Sequence, residues 1–575
     1  MDFWAYPYLI AYIAFYLFWL LKVNRGILFW LYLWQLKEYH WGRFASHFET
    51  AKGKSLFLNP LIAAKLFLLT VGIGIFLHKQ LPSGDIFSLK SVYDFSTGQP
   101  EKVLVFVVLF FGIYLIEGGW TMLCLLKRRL IHPEITAKSA LLIFLGHILM
   151  FSATLPIFDL FLGEMRLIDF AFAQFLLVAL DLLLPIIVGV LVLVLQPLSV
   201  LAKNRTLAKA KSILAQRSDL VVIGITGSYG KSSTKEFLSA ILESKYNILK
   251  TAANTNTEIG IAQTIVRELK PEHQVFVCEI GAVHKGRIKQ VAKAIEPTIG
   301  ILTGINQQHL GVFGSQQNII DAKFELLEAL PQHGIAIINS DSNFVNEALD
   351  SRKGQMAVHE MVFCSIREKK NFWAEGIVAD KDHFSMAVKD RDGGEAHLMI
   401  KIFGSQNVMP MLLAMAAAKE LEVPLIDAAV ALEKTNFSKF GMQMEKNSGG
   451  INVLCSTYSS NPDGVMAHLD YLKLWPGKKG IVMPCLIELG KSSKEIHYNI
   501  GQKIAEVCEF AIVTTKERCN DIKKGARDAG MDPKNIIFCE KPLKLKQILK
   551  NRLVTDDVIL LEGRLSEAAI NAIKK

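Results

Sequence analysis

The chain changes character near residue 200, and that change limits what it can fold into. Before it, long apolar and aromatic runs follow one another with few charges. After it, short buried-strand patterns alternate with helical spacing, as in a soluble α/β protein. Five early runs are long enough to cross about 30 Å of hydrocarbon: residues 4–22, 60–78, 103–126, 139–161 and 171–197. The first is not a cleavable signal. No basic residue precedes it, and Phe15-Tyr16-Leu17-Phe18-Trp19-Leu20 continues where a signal's apolar stretch should end. Residues 26–36 are apolar but short, and are expected to lie along the interface or to re-enter.

Charge orients these spans. The loop after the first carries Lys22, Arg25, Lys37, Arg43, Lys52 and Lys54, and the next holds Asp85, Asp94 and Glu101 against few bases. Lys127, Arg128 and Arg129 follow, then Glu164 and Asp169, and finally Lys203, Arg205, Lys209 and Lys211. Basic loops stay in the cytoplasm. An odd number of spans then puts the N-terminus outside and the C-terminal region on the cytoplasmic side of the inner (cytoplasmic) membrane, in a multi-pass protein. The net charge of +10 belongs largely to these loops, and no base-reading motif accompanies it, so no nucleic acid is expected as a partner. Eight scattered cysteines without a Cys-x-x-Cys pair argue for reduced thiols and against a zinc ribbon. Three ionisable residues, Glu117, His147 and Asp181, fall inside expected spans. They suit a polar site for a substrate headgroup or, in the plainer reading, hydrogen bonds between helices.

Residues 220–223 read as a buried strand, Gly224-Ile-Thr-Gly227-Ser-Tyr-Gly230-Lys231-Ser232-Ser233 as a glycine turn, and 234–242 as a helix. Glycines let backbone N–H groups approach phosphates, and a helix start favours anions. Lys231 reaches terminal phosphates and Ser232 suits Mg²⁺. Ile225 stands where the strict phosphate-loop spacing has its first glycine.

With these residues the chain resembles the Mur ligases, ATP-dependent amide-bond-forming enzymes of peptidoglycan synthesis. Thr226-Gly-Ser-Tyr-Gly-Lys-Ser232 is similar to their ATP loop. Asn254-Thr-Asn256-Thr257-Glu258-Ile-Gly260 is similar to their asparagine-rich loop, in the form typical of the D-alanyl-D-alanine-adding branch. Cys278-Glu279-Ile-Gly281, the segment 297–310 with His309, Asp321-Ala-Lys323-Phe-Glu325 and Asn339-Ser-Asp341 follow in order. Tyr458-Ser-Ser-Asn461-Pro462 and Glu488-Leu-Gly490 with His497 complete the series. The resemblance covers about 210–575 and none of 1–200.

The apolar runs imply an all-α transmembrane bundle over 1–200, and the resemblance implies a P-loop-like parallel-sheet α/β central domain over 201–447 and a smaller Rossmann-like α/β C-terminal domain over 448–575. The resemblance also sets the chemistry. It implies ATP and Mg²⁺ as cofactors. Thr226, Gly227, Ser228, Gly230, Lys231, Ser232, Ser233 and Asn407 would hold the nucleotide. Ser232 and Glu279 would take one Mg²⁺. His309 and Lys323 would serve a second, with Lys323 carbamylated into a carboxylate-like ligand. Lys231, Lys323 and His309 would be catalytic, and Asn254, Asn256, Thr257, Glu258, Tyr458, Asn461 and Glu488 would meet the substrates. The chemistry needs such residues. A carboxylate is a poor electrophile, so ATP first converts it to an acyl phosphate, and the crowded charge calls for cations.

The chain departs from the family on one side. Gln406, in Gly404-Ser-Gln406-Asn407, replaces a histidine, and Pro410 a second asparagine. Met442 stands for an arginine and Ser456 for an acid, while Glu562-Gly563-Arg564 stands for Lys-Gly-Ser. A methionine supplies none of an arginine's charge-assisted bonds. These positions belong to the side expected to bind adenosine and the closing C-terminal domain. Only 27 residues separate 197 from 224, too few for the family's sugar-nucleotide-binding domain.

The expected activity is therefore a membrane-anchored, ATP-dependent carboxylate–amine ligase of cell-envelope synthesis. Its partners would be a cell-envelope precursor, lipid-linked and presented at the bilayer among membrane lipid, and an amino acid or dipeptide as amine donor. In a plainer alternative the spans only tether the enzyme. Two other readings stay open: a poly-γ-glutamate-type ligase, and a catalytically weak Mur-like scaffold.

Overall fold

The structure, a computed structural model, describes residues 5–48, 51–80, 100–162 and 167–574, apart from 283, 353, 355, 357, 382, 438–440, 458 and 459. It forms two compact units, Met1–Ala202 and Lys203–Lys575.

The first unit is helical: α1 (Ala5–Leu36), α2 (Trp41–His47), α3 (Ala51–Phe57), α4 (Pro60–Gln80), α5 (Pro100–Leu126), α6 (Ala137–Leu162) and α7 (Leu167–Val194). Among the described residues, four helical stretches are long and apolar enough to cross a membrane: Leu9–Leu36, Val103–Leu126, Ala137–Asp159 and Asp169–Ala215. The fifth expected segment, 60–78, lies within α4, a 21-residue helix whose apolar stretch among the described residues is Pro60–Val71. The separate interfacial segment at 26–36 is corrected, because α1 runs on through it, about 48 Å at 1.5 Å per residue. Two tertiary contacts explain its continuity. Asp181 of α7 neutralises Lys22 at 2.9 Å, and Gly26 lets Leu184 pack against bare backbone. The loop acids Asp85, Asp94 and Glu164 lie outside the described residues.

Ionic contacts also join the bundle. Lys65 is buried, and its ammonium reaches both Asp181, at 2.6 Å, and Glu117. Tyr114 donates to Asp181 at 2.8 Å, and its ring lies 4.3 Å from the Lys65 ammonium. Glu117 and Asp181 thus bind helices together, as the plainer reading of them expects, through two lysines and the Tyr114 hydroxyl. The remaining ionisable residue, His147, sets its Nε2 3.4 Å from Asn24 Oδ1.

In the second unit a nine-stranded sheet has the order β2-β3-β1-β4-β5-β6-β7-β8-β9. Its strands are β1 (Val221–Thr226), β2 (Ile248–Lys250), β3 (Val275–Glu279), β4 (Ile299–Leu302), β5 (Ile335–Asn339), β6 (Glu360–Ser365), β7 (Phe372–Ala379), β8 (Phe384–Asp390) and β9 (Glu395–Ile400). The strands from β2 to β7 pair in parallel, and β8 and β9 continue the sheet antiparallel. The parallel strands are near-continuous apolar runs, as strands covered on both faces require. The order reverses at β1, which pairs with β3 on one side and β4 on the other. In open α/β sheets ligands bind beyond the strand ends at such a point.

The second sheet has the order β10-β11-β15-β12-β13-β14, with β10 (Gln443–Lys446), β11 (Asn452–Ser456), β12 (Lys479–Met483), β13 (Phe510–Val513), β14 (Ile536–Phe538) and β15 (Val558–Glu562). Strand β10 pairs antiparallel with β11, so this sheet begins at Gln443, ahead of the boundary expected at 448.

Lys65→Ala would leave two buried carboxylates sharing only Lys22 and Tyr114. Removing one partner of a buried ion pair costs about 3–5 kcal/mol. A clear drop in the thermal midpoint of the detergent-solubilised protein is the expected result; an unchanged midpoint would mean that water already screens these charges.

Candidate nucleotide and metal site

Strand β1 ends at Thr226, whose hydroxyl donates to the Ile280 carbonyl at 3.0 Å. The chain then turns through Gly227 and Gly230 into the helix Lys231–Leu242. Gly230 sits at φ 74°, in the left-handed region glycine adopts freely. A Cβ at Gly227 would collide with the Thr303 hydroxyl. The loop is pinned to the end of β4: Ser228 N–H donates to Gly304 O at 2.8 Å, and Thr303 N–H to Thr226 O at 2.9 Å. The Ser228 hydroxyl is buried with no hydrogen-bond partner among the described residues. A buried hydroxyl in that state, in a loop of this shape, fits an anionic ligand.

Four side chains converge below the loop. Lys231 Nζ donates to Gly227 O at 2.9 Å. Ser232 Oγ donates to Glu279 Oε2 at 2.6 Å, and Asn256 Nδ2 to Glu279 Oε1 at 3.0 Å. Burial works against the Glu279 charge, but Lys231, Asn256 and Ser232 outweigh it and hold the carboxyl below its ordinary range. Burial likewise pushes the Lys231 amine down, while Glu279 pulls it back. Ser233 follows on the same helix. A hydroxyl and a carboxylate beside a phosphate loop are the donors Mg²⁺ takes when it is shared with substrate phosphates, so the residues fit that ion.

Lys323, on the helix Gln316–Glu328, is buried and makes no hydrogen bond or ion pair among the described residues. Burial, then Lys231, pushes its amine down to about 7, against the pull of Glu279 and Glu325. His309 points elsewhere. It adopts φ 65°, and its Nδ1 lies 2.5 Å from Glu488 Oε2, while Gly311 N–H donates to Glu488 O at 2.8 Å.

The remaining predicted residues are spread out. Asn254 takes a left-handed turn at φ 64°. Thr257 caps the helix Glu258–Glu268 by accepting from Gly260 N–H at 3.3 Å. Glu258 is held by Arg287 at 2.7 Å and Lys203 at 3.1 Å. Asn407 is buried and donates to Phe403 O at 3.0 Å. Asn461 caps the helix Pro462–Leu472 through Gly464 N–H at 3.0 Å, and Tyr458 lies outside the described residues.

Sequence reasoning passed over several contacts here. Asn306 Nδ2 donates to Asp463 Oδ2 at 2.7 Å, tying the loop after β4 to the helix Pro462–Leu472. His497 accepts from Leu486 N–H at 2.9 Å and so braces the Glu488 loop. Buried Lys235 donates to Thr251 O at 2.6 Å. Lys235 had a signal: it stands at helical spacing among apolar residues. The other two had none beyond membership of a motif.

The Mur ligase middle domain matches residues 225–418, and the Mur ligase, glutamate ligase domain matches 442–565, together more than half of the chain. The chain belongs to the Mur ligase family. A Mur ligase from Mycobacterium leprae, named UDP-N-acetylmuramoyl-tripeptide–D-alanyl-D-alanine ligase, is 27% identical over 388 residues, covering 64% of this chain and 75% of that one. One of the same name from Haemophilus influenzae is 29% identical over 289 residues, covering 49% of this chain and 61% of that one. Among solved structures, MurF from Acinetobacter baumannii superposes with a TM-score of 0.58 at 25% identity, covering 65% of this chain and 81% of that one. MurF from Thermotoga maritima in complex with ADP shares the fold, with a TM-score of 0.55 at 22% identity, covering 64% of this chain and 83% of that one. The chain spans about three quarters of the Mycobacterium leprae relative, and 65% and 60% of relatives of the same name from Buchnera aphidicola and Synechocystis.

The buried Lys323 of this Mur ligase gives a pH dependence. Its amine is depressed from 10.5 to about 7 on folding, so between those values the unfolded chain binds the extra proton. Stability therefore rises with pH across that window, and the cost of burying the charge is complete below pH 7. Lys323→Met is expected to raise the thermal midpoint most near pH 6 and to flatten the rise toward pH 10. A parallel pair of pH curves would show that the amine is hydrated.

Proposed function

We propose that this chain is a membrane-anchored, ATP-dependent ligase that joins a carboxylate to an amine in peptidoglycan precursor synthesis. The convergence of Lys231, Ser232 and Glu279 beneath the phosphate loop carries this reading. Mur ligases use ATP and Mg²⁺. An acceptor carboxylate oxygen attacks the terminal phosphorus of ATP, the bond to ADP breaks, and an acyl phosphate forms. The amine nitrogen then attacks the acyl carbon, phosphate leaves, and the amine gives up a proton. Lys231 swings from Gly227 O to the charge on the transferring group. When bound between Ser232 and Glu279, Mg²⁺ neutralises phosphate charge.

The relatives' names supply the substrate class: a muramoyl-tripeptide carboxylate and the amine of D-alanyl-D-alanine. With few residues between the last apolar helix and β1 to build a sugar-nucleotide grip, the acceptor is taken to be lipid-linked, at the bilayer. The basic loops put the N-terminus outside and the ligase region in the cytoplasm. A neutral, unpartnered Lys323 amine is the form that adds CO₂, which releases a proton and leaves a carbamate suited to a second Mg²⁺. His309 would turn from Glu488 to join it.

One set of contacts favours the scaffold reading. Met442 is buried in the C-terminal core, and Glu562 pairs with His468 at 2.7 Å, so neither is free to contact a nucleotide. Phosphate release by the full-length protein in detergent micelles, given Mg-ATP, muramoyl-tripeptide and D-alanyl-D-alanine, separates the two. Release that needs both substrates and falls about 10²-fold or more in Lys231→Ala is the expected result. Folded protein that no acceptor stimulates would leave the scaffold.

A further inference from the structure

The helix Gln196–Ala215 follows Val194 of α7 after Leu195 alone, and from Lys203 on it belongs to the ligase unit. Its contacts there fall on one face, since Lys203, Leu207, Ala210 and Leu214 recur at helical spacing. Leu207 and Ala210 are buried in one core with Ile261 and Ile265 of the helix Glu258–Glu268 and with Ile288 and Val291 of the helix Arg287–Ile295, and Leu214 packs against it. Lys211 Nζ lies 2.9 Å from Glu296 Oε1 and donates to Lys293 O at 3.3 Å, at the end of the second of these helices. This length of chain is built into the ligase core.

The face begins at an ion pair. Lys203 Nζ lies 3.1 Å from Glu258 Oε1, and Arg287 Nη1 reaches the same oxygen at 2.7 Å. Arg287 is oriented in turn by His284, to whose Nε2 its Nε donates at 2.9 Å. An exposed pair contributes little, but the Lys203 and Glu258 side chains are only 19% and 14% exposed, and the packed turns after Lys203 already hold its backbone. Glu258 opens its helix directly after the Thr257 cap, two residues beyond Asn256. Asn256 donates to Glu279 Oε1 at 3.0 Å, and its carbonyl accepts Gly281 N–H at 2.8 Å. One short turn, 254–258, therefore reaches Glu279 through Asn256 and Lys203 through Glu258. Asn254 in that turn sits at φ 64°, a conformation that costs energy and persists where its surroundings fix it.

We propose that Lys203 is a positioning residue of the nucleotide and metal site: fixed by the packed helix that carries it, it holds Glu258 and so the turn that sets Asn256 on the Glu279 carboxylate. Without Lys203, Glu258 keeps Arg287 alone, the turn loosens, and Glu279 is left with a weaker hold from Asn256. The segment between the last apolar helix and β1 then takes part in the site as well as joining the two units. The inference rests on the ATP and Mg²⁺ reading of that site.

The test compares the full-length protein in dodecylmaltoside micelles with its Lys203→Gln and Lys203→Arg variants. Amide hydrogen exchange over residues 254–262 should quicken about fivefold or more in Lys203→Gln, through the loss of one charged contact, and stay unchanged across β1. The dissociation constant for Mg-ATP, measured by calorimetry, should rise by a similar factor. Lys203→Arg keeps the charge and should match the unaltered protein in both. Exchange over the turn or Mg-ATP binding left unchanged by Lys203→Gln overturns the inference. Exchange that quickens equally across β1 also overturns it, because Lys203 would then only support the whole unit. Unaltered protein that binds no Mg-ATP refutes the nucleotide reading itself, and the exchange over the turn still decides whether Lys203 holds it.

Discussion

A carboxylate at the end of β3 organises the ligase unit. Glu279 is buried and stays charged only because Ser232, Asn256 and Lys231 surround it. Each neighbour arrives by a different route. The register of β1 against β3 sets Ile225 opposite Glu279, so the loop that follows β1 begins beside the carboxylate. The helix Lys231–Leu242 then carries Ser232 across it, and the Asn256 turn closes the other oxygen. Glycines at 227 and 230 let the backbone make the bend. The reversal of strand order at β1 opens the crevice, and the carboxylate defines its charge.

Much of this site was legible because its signals are local. A buried strand, a glycine turn and an amphipathic helix in succession define the phosphate loop without help from distant residues. Asn461 caps the helix Pro462–Leu472, with proline at its first position, a local signal that the motif reading left unused. Partnerships across long sequence separations were not legible. Sequence reading flagged Glu117 and Asp181 as costly charges but could not supply Lys65, and it separated the span at 4–22 from an interfacial segment at 26–36. Periodicity records which residue types share a face, not which opposite charge waits on another helix. The antiparallel continuation through β8 and β9 and the early start of the second sheet depend equally on pairing partners.

His309 and Glu488 show how the central and C-terminal domains of the ligase unit meet. Both occupy left-handed backbone conformations, at φ 65° each, and Gly490 lies against Gly311. Non-glycine residues adopt that conformation at a cost, and it persists where surrounding contacts fix it. Here those contacts are the His309–Glu488 bond, the Gly311 N–H to Glu488 O bond and the Asn306–Asp463 bond. His309 is held by the C-terminal domain in this arrangement, so any role at a metal requires Glu488 to release it. Domain closure and the proposed second metal site would then draw on the same side chain.

The substitutions on the adenosine side form a consistent set. Met442 packs with Leu454 and Leu469 in the C-terminal core, and His468 answers the acid at Glu562. Ser456 accepts Gly563 N–H through its carbonyl at 2.9 Å, which keeps the ends of β11 and β15 together without the family's acidic residue. The proposed phosphate cradle does not depend on these side chains, and the reason is physical. Backbone N–H groups, glycine conformations and strand register build it, and side chains elsewhere leave all three intact. Replacements on the side expected to bind adenosine can therefore alter that side alone, while the fold and the phosphate loop keep their form.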